Sequence, residues 1–379
     1  MGNPRIVLIE WGCLEGRRPR AAGSNARLNE HGRLIRLPIL RLTTEDGSWG
    51  FGLCSTSSEQ ASALLGKRLD EVFLTDQGVA EPWLAFDYPL WDLIGQRAGL
   101  PVYVLAAATS GITVQSPYRV PCYDTSLYFD DLHLPTNPEA AQLIAMEALE
   151  GYGRGHRAFK IKVGRGARHM PLEEGMARDI AVVRGVREAV GPDATIMLDA
   201  NNGYNVNLAK RVLAETADCH VFWIEEAFHE DGVLYRELRT WLAEHDLAVL
   251  ISDGEGQSDP SLLEWARQGL VDVIQYDILE HGFTRWLATG RLLDAWGVRA
   301  APHHYGWHYG NYAACHLAGA IRGFVSVEWD EATTPGLDAS GYAVAEGWVS
   351  VPEQPGFGLT LDEAVFQRAV AEAGFILSL

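Results

Sequence analysis

The chain carries, near its middle, Ala158-Phe159-Lys160-Ile161-Lys162-Val163-Gly164. Phe159, Ile161 and Val163 alternate with Ala158, Lys160 and Lys162. Period-two alternation predicts a strand with one apolar face. The other face carries two ammonium groups about 6–7 Å apart, at a rise of roughly 3.3 Å per residue. On a sheet with one wet face this is ordinary. Where strands alternate with helices, both faces are usually covered. The two lysines then need a chemical reason.

Outward from this strand the alternation is regular. Apolar runs recur at Val120–Asp124, Phe159–Val163, Thr195–Leu198, Val221–Ile224, Ala248–Ile251, Val271–Gln275, Val298–Ala301 and Phe324–Val327. Helix-period segments lie between most of them, among them Glu174–Val190, Leu208–Glu215, Leu262–Gln268, Thr284–Trp296 and Asn311–Ala320. Eight strands with intervening helices predict an α/β fold, a (β/α)8 TIM barrel beginning near residue 119. A doubly wound open sheet is the alternative, but no GxGxxG follows the first strand. The first 118 residues read differently. Arg5–Trp11, Leu34–Thr43 and Phe51–Cys54 make a β-meander, and helical patterns follow near 59–70 and 85–99. Glu15–Gly32, with Arg17, Arg18, Arg20 and Arg27 and little that is apolar, reads as a loop. After Pro335 the chain turns β-like again, at Tyr342–Val351.

The 379 residues are 47% hydrophobic, ample for a large core, with a formal charge of −19. That balance argues against nucleic acid or an anionic membrane as partner. It also means that an anionic substrate needs a local cationic site. The five cysteines, Cys13, Cys54, Cys122, Cys219 and Cys315, form no CxxC and read as buried thiols. The N-terminus lacks a signal-peptide core, and no apolar run reaches the ~18 residues of a membrane span. A cytoplasmic protein is expected.

In a barrel of this kind chemistry gathers where strands end. Lys160 and Lys162 close one strand and Asp199 the next; Glu225 and Glu226 close the third, and Asp253 and Glu255 follow the fourth. Asp277, then His303 and His304, then Glu328 follow the later ones. Carboxylates after three consecutive strands repel one another in a confined site. A hard divalent cation with oxygen ligands, Mg²⁺, resolves this, and the absence of Cys or His among Asp199, Glu225 and Glu255 disfavours zinc. A lysine beside a metal and a second cation has its pKa lowered, which suits a general base. A carboxylate beside an imidazole orients the ring and raises its basicity. Together these suit removal of a proton α to a carboxylate, with the resulting enediolate stabilised by charge.

These residues resemble the enolase superfamily, and within it the mandelate racemase branch. Lys160-Ile161-Lys162 resembles the branch's KxK motif, which implies Lys162 as base and Lys160 as the group that polarises the carboxylate. Leu198-Asp199-Ala200-Asn201, Trp223-Ile224-Glu225-Glu226 and Gly254-Glu255 resemble its three metal-ligand motifs. Asp277 with His303 resembles its Asp–His dyad, and Glu328 the acid of the eighth strand. His304 competes with His303, because the Asp277–Gly282 loop is a residue shorter than the pattern. Ala227 stands where a proline usually follows the Glu pair. The resemblance implies a modified barrel, residues 119–340, under an α+β capping domain, residues 1–118, completed by the C-terminal segment 341–379. It further implies Mg²⁺, a small carboxylate substrate and a homo-oligomer.

Dehydration of a sugar acid to a 2-keto-3-deoxy acid is the leading expectation. Racemisation or epimerisation is the second, since the same enediolate serves both, and a non-catalytic acid-binding barrel is the third. Sugar acids are favoured by the polar, arginine-rich 15–32 stretch. Arg17, Arg18, Arg20, Asn201 and His304 are the candidate substrate contacts.

Overall fold

The computed structural model describes residues 2–379. Eight parallel strands run Arg119–Leu127, Ala158–Lys162, Thr195–Asp199, Val221–Glu225, Leu250–Asp253, Val273–Ile274, Arg299–Ala300 and Val327–Trp329. The first seven pair in sequence order and the eighth pairs with the first, Glu328 opposite Tyr123. A bridge between Ala300 and Phe324 joins the seventh to the eighth run. The expected Phe324–Val327 strand is therefore divided: its start serves the seventh strand, and the ladder to the first begins only at Val327. Helices lie between consecutive strands, with Leu172–Val190, Val206–Glu215 and Phe283–Trp296 close to the predicted ranges. Inside the ring Tyr123, Met197, Trp223, Val273 and Ala301 pack together. The barrel is filled, so chemistry is confined to its ends.

The N-terminal meander is Ile6–Ala22, Gly32–Thr44 and Trp49–Leu53. The first strand runs well past Trp11, and only 23–31 form a loop. Arg17 lies opposite Leu34 in this ladder. Period-two burial persists through Leu14, Gly16 and Arg18 inside and Glu15, Arg17 and Pro19 outside. A glycine and an arginine at inward positions hide the alternation from a hydrophobicity reading. Helix Asp87–Ala98 lies directly on the third strand, where a Cβ on Gly50 would stand 2.3 Å from the Leu93 nitrogen. Only glycine permits that approach.

After the eighth strand, a hairpin of Ala343–Ala345 and Trp348–Ser350 pairs antiparallel with the start of the first barrel strand. The chain then crosses to the meander. Phe357 donates its N–H to Asp92, which also accepts from Phe51. Helix Glu363–Ala373 packs at Gly12, and strand Phe375–Ser378 pairs with Leu8–Trp11. Among the described residues no helix is long and apolar enough to cross a membrane.

Candidate active site

Strand register assembles the site. Asp199 is the direct ladder partner of both Lys162 and Glu225, and Glu225 of Ser252. The ends of the second to fifth strands therefore meet at one rim. Lys160 is buried, its Nζ 2.8 Å from Glu225, 2.9 Å from Glu328 and 3.5 Å from Asp199. Lys162 donates to Asp199 and lies 5.2 Å from the Tyr128 ring centre. Burial works against both ammonium groups, but Glu225 and Glu328 hold Lys160 far above its ordinary pKa, and Asp199 raises Lys162. The depression expected for Lys162 from its neighbour Lys160 is outweighed by Asp199. Burial, reinforced by Asp199, pushes Glu225 up to about 7.

Asp199, Glu225 and Glu255 each place a carboxylate oxygen within 4.8 Å of the others. Glu255 Oε2 is buried without a hydrogen-bond partner. An orphaned oxygen in an all-oxygen donor set fits a hard divalent cation such as Mg²⁺. Asp253 is excluded from that set: it accepts from the Tyr235 hydroxyl at 2.6 Å and from Gly254 N–H at 2.8 Å. The turn that separates the two acids depends on Gly254 at φ +125°. Glu225 accepts the Gln275 amide at 3.0 Å on its second oxygen. Glu226 turns the other way, at φ +42°, into the side chains of Asn201 and Asn202, each at 2.9 Å.

Asp277 and His303 come together, Oδ2 to Nδ1 at 2.9 Å. The other Asp277 oxygen caps the short helix Ile278–His281. Nδ1 facing a carboxylate carries the proton, so Nε2 is directed at Glu255 (3.5 Å) and Glu328 (3.8 Å). Burial disfavours the charged ring, yet Glu255, Glu328 and Asp277 hold His303 up to about 10. His304 is not in this dyad. Its backbone N–H donates to Glu328, and burial lowers its ring pKa. Glu328 also accepts from Thr125 at 2.6 Å, and Lys160 and the two histidines draw it below the carboxylate range against the cost of burial.

The three arginines of the first strand part company. Arg18 is buried in a two-pronged pair with Asp330 at 3.2 and 2.8 Å. Arg17 is exposed and meets the barrel only through its backbone at Thr333. Arg20 turns to Glu147, Glu150 and Ser126. Inward and outward positions alternate, so a run of arginines cannot all face one site. The 23–31 loop instead brings Arg27, 3.4 Å from both Glu226 and Glu255. His31 joins the Tyr128 and Tyr305 rings at 4.9 and 5.6 Å. Gln275 is legible in the sequence as a polar residue at a strand end, whereas Tyr128, His31 and Tyr305 carry no such signal.

A family model described as enolase C-terminal domain-like matches residues 143–365. The arabinonate dehydratase of Saccharolobus solfataricus is 26% identical over 292 residues, 74% of this chain and 70% of that protein. A crystal structure of galacturonate dehydratase from Geobacillus sp., complexed with D-galacturonate and 5-keto-4-deoxy-D-galacturonate, is 46% identical. It covers 99% of both chains at a TM-score of 0.95. A mandelate racemase/muconate lactonizing protein from Geobacillus sp., complexed with magnesium and tartrate, is 46% identical at a TM-score of 0.97, covering 100% of this chain and 98% of that one. With the lysine pair, three carboxylates and Asp–His pair at one barrel rim, the chain belongs to the enolase superfamily, in its mandelate racemase branch.

Proposed function

We propose that this protein is a Mg²⁺-dependent sugar acid dehydratase. The observation that carries the reading is the placement of Lys162 and the Asp277–His303 pair on either flank of the Asp199, Glu225 and Glu255 carboxylates. Asp199, Glu225 and Glu255 would hold the divalent cation, which would supply positive charge to the substrate carboxylate. Lys160, fixed by Glu225 and Glu328, adds a charge that cannot move away. Lys162 Nζ, once it has given up the proton that Asp199 holds on it, takes the proton from the carbon next to the carboxylate. His303 Nε2, held in place through Nδ1 by Asp277, delivers a proton to the departing β-hydroxyl, which leaves as water. The enol then tautomerises to the α-keto, β-deoxy acid. The 5-keto-4-deoxy compound bound to the Geobacillus enzyme has this pattern counted from its carboxylate, so a uronate of the galacturonate kind is the substrate proposed here. In this reading residues 1–118 and the tail of 341–379 cap a barrel of 119–340, in a cytoplasmic homo-oligomer.

Racemisation or epimerisation is the second reading, because two proton carriers flank one carbon. A panel of uronates and aldonates with Mg²⁺, followed for keto-acid formation and for α-proton exchange in D₂O, separates the two. Keto acid supports dehydration. Exchange with inversion and no keto acid supports epimerisation. Neither from any acid would falsify the enzyme reading and leave an acid-binding barrel.

A further inference from the structure

Outward from the reacting lysine the site wall is built of rings. Lys162 faces Tyr128, and Tyr128 stacks on Tyr305 at 5.0 Å. The Arg18 guanidinium lies 4.3 Å from the Tyr305 ring centre. His31 closes the group edge-on. Its Nδ1 is 2.9 Å from the Gly23 carbonyl, which can only accept, so Nε2 is an unprotonated acceptor in the neutral ring. A substrate whose carboxylate lies at Lys160 and whose α-carbon lies at Lys162 extends its far end along this wall.

Arg18 is the cation at that end, and its charge is already matched. Asp330 meets it with both oxygens, and each member of the pair is buried. Asp330 is itself fixed, since its backbone N–H donates to Asn311 and one carboxylate oxygen accepts from Ala332. Arg27 is likewise matched, by Glu226 and Glu255. A substrate's single carboxylate is met at the Lys160 end, and a second one at the far end would find Arg18 already matched by Asp330.

We infer that the site is selective for sugar acids carrying one carboxylate over the corresponding dicarboxylates, and that Asp330 sets this selectivity by neutralising Arg18 at the far end of the substrate. The inference rests on the sugar-acid reading above and adds the substrate class. Asp330 touches no reacting atom. It acts through Arg18, and the neutral wall takes an aldehyde, a hemiacetal or hydroxyls by hydrogen bonding.

The test compares kcat/KM for galacturonate and for galactarate at fixed salt and Mg²⁺. The wild-type protein is expected to favour galacturonate by on the order of 100-fold. Asp330→Asn, which frees the Arg18 charge, is expected to narrow that ratio by about tenfold or more, chiefly through a lower KM for galactarate. Arg18→Gln, which leaves Asp330 as an unmatched anion, is expected to widen it. The two shifts have opposite sign, which a merely structural role for the pair does not produce, and either variant tests the proposal if the other fails to fold. A wild-type ratio near one, or a ratio unmoved in folded variants, overturns the inference and leaves the dehydratase reading standing. No turnover and no α-proton exchange with either acid overturns both.

Discussion

Lys162 and His303 can be separated by the reactions they lose. Lys162→Ala removes the group proposed to take the α-proton while leaving Lys160 among its carboxylates, so α-proton exchange in D₂O is expected to fall about 10²–10⁴-fold. Exchange at the wild-type rate would dismiss Lys162 as the base. Asp277→Asn keeps an acceptor for the helix cap at Leu279 and Glu280 but no longer fixes the His303 tautomer. Turnover is expected to fall at least about 100-fold with little change in melting temperature, since the loss is one of orientation. Glu255→Gln removes one charge from the proposed cation set. Titration calorimetry with Mg²⁺ is expected to show affinity weakened by at least about tenfold, and an unchanged dissociation constant would take Glu255 out of the set. The placement of these groups at one rim was legible in strand-end chemistry. Asp277 pairs with His303 and not His304 because the Glu328 carboxylate takes the His304 backbone N–H and the His303 ring is left facing Asp277. No spacing in the sequence displays that choice.

Buried carboxyls hold the cap to the tail, through Asp92, and to helix Phe283–Trp296, through Asp87. Burial pushes Asp92 up to about 7 and Asp87 up to about 6, although backbone donors with the Gln96 amide at Asp92, and backbone donors with the Thr284 hydroxyl at Asp87, pull the other way. A carboxyl whose folded pKa lies above its unfolded value binds more protons when folded. Its contribution is full below about pH 4 and is lost as pH rises through the folded value. Unfolding free energy is therefore expected to decline between about pH 4 and 7, by about 1.4 kcal/mol per pH unit for each fully titrating group. Asp92→Asn should flatten part of that slope in urea titrations at pH 5, 6 and 7. An identical slope in the variant would show that Asp92 is not its source. The strands that could be read from sequence were those with continuous apolar runs, such as Phe159–Val163. The second half of Ile6–Ala22 could not, because its inward positions are Gly16 and Arg18. Their partners, Thr334 and Asp330, lie more than 300 residues away, beyond the reach of any local pattern.

At the scale of the whole molecule, the −19 charge opposes the approach of an anionic substrate and favours the approach of Mg²⁺. Raising salt screens both effects. The apparent affinity for Mg²⁺ is expected to fall between about 10 and 150 mM NaCl, while kcat/KM for the acid at saturating Mg²⁺ rises or holds. A steep fall in the latter would mean that local cations, and not the overall field, govern capture.

The long first strand has one more consequence. Its first half is a rung of the cap sheet, and its ladder with Gly32–Thr44 stays in register from Leu8 to Arg17, immediately before Arg18 at the barrel mouth. Which side chains look into the cleft is thus a matter of parity. Inserting or deleting a single residue between Cys13 and Arg17 would exchange odd for even and present the neighbouring side chain to Asp330 in place of Arg18. Steps of two preserve the parity and shift only the reach. Length changes in this ribbon are therefore expected to alter substrate choice in alternation, which gives lineages a discrete dial for specificity lying entirely outside the barrel that does the chemistry.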